Sequence, residues 1–400
     1  MSSGSRKRAE RPIESEKEGG SSSGKGLGGE RGRESSGVLR FQTGQDMREI
    51  ILLATLSGKP VRVTEIRGDD AEAPGLRPFE INLLQLVEKV SNGSKVSIDP
   101  TGTALSYQPG VLTGGSFLEH HCDGAMGIGY YLEALVFLAV FSKEPVEIDL
   151  HGITNDNGSQ SVDVIRTVTL PLLEKFGVPM DEAELRVVRR GAPPGGGGLI
   201  HCRLPVVREK LDSVQLEEVG EVARMRGIAF SARVSPHLGN RVLEAARGML
   251  HTLNRDIFIH ADHFKGAEGG LSPGYGLTLV AETSTGMLLS AERFAEPGDT
   301  SLVAEDLGLL TATQLLHEIL VGGCVDSSSQ WLPLLLMALT PRNVSKIVLG
   351  RLTPFTMRVM RLIDQFLGVQ FKISVQEHPR YLVRLSCVGS GYKNLNRRVT

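Results

Sequence analysis

VIRTVTLPLLEKFGV, residues 164–178, and FTMRVMRLIDQFLGV, residues 355–369, follow one plan. Each is an amphipathic helix pattern that ends in Phe or Leu, then Gly-Val, then a run of strand formers. In the first copy Gly177 is a typical helix stop, and Leu185–Arg189 reads as the strand. A helix–strand unit recurring at two distant places predicts a domain built from repeated α/β units. Strands separated by helices predict α/β (α+β) layers.

The same texture extends outward from both copies. Glu80–Val90 reads as a helix with Ile81, Leu84 and Val87 on one face, and Lys95–Ile98 as a strand. Gly129–Val140 is a strongly apolar helix followed by the strand Val146–Leu150, and the first copy's helix covers Ser161–Phe176. A glycine-rich break, Pro193-Pro194-Gly195-Gly196-Gly197-Gly198, precedes the strand Leu199–Val206. Residues 208–275 then form a small α/β pattern of their own: helix Leu216–Arg226, strand Ile228–Val234, helix Leu238–Leu253, strand Ile257–His260. YGLTLVAETSTGMLLSAE, residues 275–292, reads as a β-hairpin turning at Ser284–Gly286. A small domain inserted in a larger one accounts for this order. The expected boundaries are 38–187 and 286–394 for the large domain, 188–285 for the insert, and 1–37 and 395–400 for tails.

The chain has 400 residues, 40% hydrophobic and 22% charged, which fits an ordinary globular protein of two or three domains. Its formal net charge is only -2, so any contact with RNA must come from local basic patches. Cys122, Cys202, Cys324 and Cys387 lie far apart with no C-x-x-C pair, which argues against a zinc site and against a secreted disulfide framework, and favours a reducing compartment. No stretch reaches the length of a membrane span, and the opening Met-Ser-Ser-Gly-Ser-Arg-Lys-Arg lacks the apolar core of a signal peptide. Residues 1–37 hold nine Ser and nine Gly with Ile13 and Leu27 as the large apolar residues, too few to offset the entropy of ordering, so disorder is expected. There Arg6, Lys7 and Arg8 read either as part of a nuclear import signal or as a solvated tail.

Several stretches together resemble the RNA 3′-terminal phosphate cyclase family: SGKPVRVTEIRG from Ser57, PGLRP from Pro74, GITNDNGSQSVDVIRTVTLPLLEKFG from Gly152, RRGAPPGGGG from Arg189 and VAETSTG from Val280. They occur in order from about Phe41 to Asn394. DHFKG at Asp262, SPGYGL at Ser272, GGCVDSSSQ at Gly322, LTPFT at Leu352 and SCVGSGYKNL at Ser386 resemble the family's non-cyclising, cyclase-like branch. The resemblance implies a large domain of three repeated α/β units with a smaller α/β domain inserted.

The resemblance also implies what has been lost. The family activates an RNA end through an adenylated histidine, because neutral imidazole is both a good nucleophile and a good leaving group. The matching position is Phe355, whose ring has no lone pair. The family's N-terminal glutamate matches Phe41, while Arg48 of the same motif survives. A family arginine falls in Asp69-Asp70-Ala71, and an Asp-Gln pair becomes Trp331-Leu332. A residual cyclase would need His317 or His378, and neither has the right context. The expectation is therefore a scaffold, with no cofactor. It would act in small ribosomal subunit biogenesis and pre-18S rRNA processing, in the nucleus and nucleolus. Its expected partners are a ribosome-assembly GTPase, small-subunit processome proteins and pre-rRNA. The alternative is an endonuclease cleaving pre-rRNA, with Asp123 and His120 as its acid–base groups.

For RNA or phosphate the candidates are Arg48, Arg67 and Arg77, near the site the resemblance implies, and Arg189 and Arg190 beside the glycine run. Each set has a plainer reading, as surface ion pairs and as a tight turn between strands. For a partner or RNA the candidates are Arg342, Lys346, Arg351, Arg358 and Arg361, with Arg358 and Arg361 one turn apart on a helix face. A solvated helix face is the plainer reading of these. His120, His121 and Asp123 offer bases or metal ligands, or a polar cap. His260 and His263 flank Asp262 at metal-pair spacing but lack a third ligand motif, so no metal site is expected.

Overall fold

A computed structural model describes residues 37–42, 44–296, 298, 302–376, 381–394 and 396. The tails expected at 1–37 and 395–400 fall outside these, apart from Gly37 and Asn396. The described residues cluster as one compact unit.

The first repeat runs β1 (Leu39–Gln42), α1 (Met47–Ser57), β2 (Val61–Thr64), α2 (Pro78–Val90), β3 (Ser91–Asn92), β4 (Lys95–Ile98), β5 (Leu105–Gln108) and β6 (Val111–Leu112). The second runs β7 (Gly115–His121), α3 (Ile128–Val140), β8 (Val146–Gly152), α4 (Val162–Val164), a π-helical turn Ile165–Thr169, α5 (Leu170–Lys175), β9 (Glu184–Arg189) and β10 (Gly198–Leu204). The third begins with β11 (Gln215–Leu216). It is interrupted by β12 (Val222–Ala232), α6 (Pro236–Leu250), β13 (Ile257–Phe264), β14 (Gly274–Thr283), β15 (Leu288–Phe294) and α7 (Ala304–Val321). It resumes with α8 (Trp331–Ala338), β16 (Val344–Leu349), α9 (Pro354–Leu367), β17 (Lys372–Gln376) and β18 (Leu382–Val388).

The three repeats share one topology. Their sheets are ordered β1-β2-β5-β4, β7-β8-β10-β9 and β11-β16-β18-β17. In each, the first pair is parallel and the last two strands return antiparallel. The two stretches that share a plan in the sequence occupy the same place, as the second helix of repeats two and three. Helices α3 and α8 are buried on every side, as expected of segments apolar all round. They form the middle of one core with α1 and the inner faces of the sheets.

The insert has its own sheet, β13-β12-β14-β15, and its own core, in which Met225, Leu277 and Leu279 meet Val242 and Leu250 of α6 and Leu307 and Leu315 of α7. Its elements span 222–321, which moves both expected boundaries. The start at 188 falls inside β9, which pairs with β10 in the second repeat's sheet. The glycine run is the turn of that hairpin: Gly196 donates to the Ala192 carbonyl at 2.9 Å, and Gly196 and Gly197 take positive φ, where a side chain would be strained. The end at 285 cuts the hairpin β14–β15 at its tip. The helix expected at Leu216–Arg226 is instead the end of β11, a loop and the start of β12. Gly220 at φ 76° breaks the run, and pairing of Val222–Arg226 with β14 overrides its helical spacing.

Candidate functional site

A cavity of about 450 Å³ opens where the first turns of α1, α2 and α9 meet the flanks of α3 and α8. Arg48, Arg67 and Arg358 all reach it, and so do Trp331 and Phe355, two of the departures that the family resemblance singles out.

Every arginine here is already engaged. Arg48 donates to Glu49 at 2.8 Å and to Glu133, and lies over the rings of Tyr130 and Trp331, 5.0 and 5.4 Å from their centroids. Burial works to lower its pKa, but Glu133 and Glu49 more than reverse this and hold the guanidinium above its ordinary value. Burial pushes Glu133 up from the usual carboxylate range, against the pull of Arg48. Arg67 grips Glu80 through both nitrogens at 2.8 and 2.7 Å, and Arg358 grips Asp46 at 2.7 and 3.0 Å. The lining thus sets three arginines against four carboxylates. It has no surplus of positive charge with which to hold a phosphate chain.

The apolar departures fill space. Phe355, at the start of α9, meets Trp331 edge-on, ring centroids 6.1 Å apart, under the Arg358 guanidinium. Trp331 is 2% exposed and also abuts Phe137. Phe41 stacks on Phe366 at 5.6 Å. Asp70 pairs with Arg77 at 2.7 Å and accepts from the Glu72 and Ala73 amides, so its charge is consumed locally.

The other candidates do not join this site. Arg190 is 1% exposed and bound to Asp163 on both nitrogens, to Asn155 and to Asp262; it is an internal strut and not a phosphate ligand. Arg189 is the last residue of β9, with its Nε buried and without a hydrogen bond. Lys346 shares Glu217 with Arg384, each at 3.2 Å. Arg351 lies over Tyr381, and Arg342 is exposed. Arg361 lines a separate groove with Met357, Met360, Phe371 and Ile373. The face expected for Arg358 and Arg361 is therefore split, because Asp46 draws Arg358 into the cavity.

His120 is 2% exposed, its Nε2 bonded to Asn82 Oδ1 at 2.9 Å. Burial, helped by Lys89 and His121, pushes its pKa down to about 4, which makes it a weak base at neutral pH. Asp123 caps its own turn, accepting from the Ala125 amide at 3.0 Å. Asp262 is taken by Arg190, and His263 Nδ1 by Ser231 at 2.8 Å. The sequence reading missed Glu133. A single acid inside the apolar helix IGYYLEALVFLAV was the available signal, since a buried charge requires a partner.

The family model of RNA 3′-terminal phosphate cyclase matches residues 39–373. The RNA 3′-terminal phosphate cyclase-like protein of Homo sapiens is 47% identical over 358 residues, covering 88% of this chain and 95% of its own. The "rRNA processing protein" of Schizosaccharomyces pombe is 42% identical over 366 residues, covering 91% and 99%. By this match and by its threefold α/β repeat with an insert in the third unit, the chain belongs to the RNA 3′-terminal phosphate cyclase family.

Proposed function

We propose that the chain is a non-cyclising member of its family that works by binding, as an assembly factor in rRNA processing. One observation carries the reading: where the family resemblance places the adenylated histidine, Phe355 packs against Trp331 in a cavity whose arginines are all neutralised. A phenyl ring accepts no adenylate, and among the described residues the cavity offers an ATP phosphate chain no unpaired arginine. The role in rRNA processing is supported by the name of the S. pombe relative. Action in pre-18S maturation within the small-subunit processome, in the nucleolus and with a ribosome-assembly GTPase, follows the resemblance. The endonuclease reading is disfavoured because His120 is buried and held by Asn82.

Two results are expected. Incubation of the full chain with ATP labelled in its α-phosphate leaves no covalent adenylate, and Phe355→His does not restore one, since Trp331 and the paired arginines remain. A labelled histidine adduct on the unaltered chain would sink the non-cyclising reading. Purification of the tagged chain from nuclear extract recovers a GTPase and processome proteins. Arg342→Glu/Lys346→Glu loses them if the third repeat makes the contact. Recovery of neither from the unaltered chain sends the function back to RNA cleavage assays.

A further inference from the structure

The second repeat's sheet carries a group of ligand-bearing side chains that the cavity does not use. At the end of β7 the burial alternates: His120 points inward, while Glu119 and His121 are exposed. β8 runs parallel beside it, with Glu119 opposite Asp149 and His121 opposite His151. Residues two apart on one strand, and their neighbours in register, share a face of a sheet. Glu119, His121 and His151 therefore converge on the outer face. Glu119 Oε1 lies 2.9 Å from His151 Nε2 and 3.5 Å from His121 Nε2. The two imidazoles stand side by side, centroids 4.4 Å apart. One ligand atom from each of the three residues falls within 4.8 Å of the other two.

We infer that Glu119, His121 and His151 bind one divalent transition-metal ion. Around a tetrahedral zinc ion with ligand bonds of roughly 2.0–2.2 Å, donor atoms stand about 3.4 Å apart. The two distances from Glu119 Oε1 bracket that spacing, so small side-chain rotations bring the set into place. Two imidazoles and one carboxylate select an ion of borderline softness, such as Zn²⁺ or Co²⁺, over Mg²⁺ or Ca²⁺, which take oxygen ligands. Three protein ligands leave a fourth position open, and here it faces solvent. The ion ties β7 to β8 across the outer face of the sheet. The site is separate from the cavity, so it stands or falls independently of the proposed function.

The probe is Zn²⁺ itself, added to the chelator-treated full chain and followed by titration calorimetry and equilibrium dialysis. One equivalent should bind and raise the thermal midpoint, because a ligand held only by the folded state stabilises it. Even loss of a group that merely orients a ligand weakens metal affinity by about 10- to 100-fold. His121→Ala and Glu119→Gln, each removing a ligand, should weaken Zn²⁺ binding at least that much. Both side chains are more than half exposed, so the variants should fold, and their midpoints without Zn²⁺ check this. His201→Ala, two strands along the same face and paired with Asp149, should bind Zn²⁺ as the unaltered chain does. Co²⁺ should give ligand-field bands without thiolate charge transfer. No binding by the unaltered chain, or equal weakening by His201→Ala, overturns the site.

Discussion

Arg190→Met should cost about 3–5 kcal/mol of folding stability, read as a fall in the urea midpoint, because it strands a buried carboxylate. Arg190 Nη1 holds Asp163 at 2.5 Å and Asn155 at 2.9 Å. Nη2 holds the other Asp163 oxygen at 3.0 Å and Asp262 at 3.2 Å. The guanidinium also lies over Phe230 and Phe264 of the insert, 5.2 and 5.7 Å from their ring centroids. One side chain at the end of β9 thus joins α4 of the second repeat to β12 and β13 of the insert. Burial alone would raise the Asp163 pKa, and Arg190 with Asn155 reverses this and holds the carboxyl below its usual range. Without Arg190, Asp163 keeps Asn155 and a longer contact of 3.4 Å to the partly exposed Arg166. Arg190→Met/Asp163→Leu removes both charges and should recover much of the loss, since a buried ion pair replaced whole by apolar groups is often close to neutral. A loss below about 1 kcal/mol in the single variant, with weakened RNA binding, would return Arg190 to the phosphate-binding role that its sequence neighbours suggest.

The contrast between Arg190 and the helix pair shows what a sequence can reveal. The periodicity of residues 164–178 and 355–369 is local, and both stretches become the second helix of a repeat. The apolar runs at α3 and α8 are equally local, and both are buried throughout. What sequence spacing misses is set by pairing over long separations. Arg190 beside four glycines has the composition of a phosphate loop, yet its partners are 27 and 72 residues away. Val222–Arg226 is spaced like a helix until β14 claims it. At the cavity, the identities of Phe355, Trp331 and Phe41 were legible as departures from a motif. Neutralisation of the surviving arginines was not, because Glu133 stands 85 residues from Arg48 and Asp46 stands 312 from Arg358.

Glu292→Gln should stabilise the protein at alkaline pH and leave it little changed in acid. Glu292 lies on β15, where its Oε1 accepts from the Ser161 amide at 2.8 Å and its Oε2 from the hydroxyls of Ser161 and Thr278 at 2.5 and 3.2 Å. Burial, which outweighs these hydrogen bonds, and the nearby Asp163 push its pKa up to about 8, from an ordinary value of 4.5. A carboxyl whose folded pKa exceeds its unfolded one binds its proton more tightly in the folded state. The stability this gives is complete below about pH 4.5 and is lost as pH rises through about 8. At 1.36 kcal/mol per unit the loss has a ceiling of about 5 kcal/mol. Glu292 also borders a cavity of about 470 Å³, and water there lowers the cost of ionisation, so about 2–4 kcal/mol is expected. The glutamine carbonyl can accept from the Ser161 amide, and its NH₂ can donate to the two hydroxyls once they rotate. Urea midpoints of both proteins at pH 4 and pH 8.5 isolate the effect, because every other titrating group is common to the pair. The variant should match the parent at pH 4 and exceed it at pH 8.5. Parallel loss of stability in both would show that Glu292 ionises freely, and that its link between the insert and the start of α4 carries no proton.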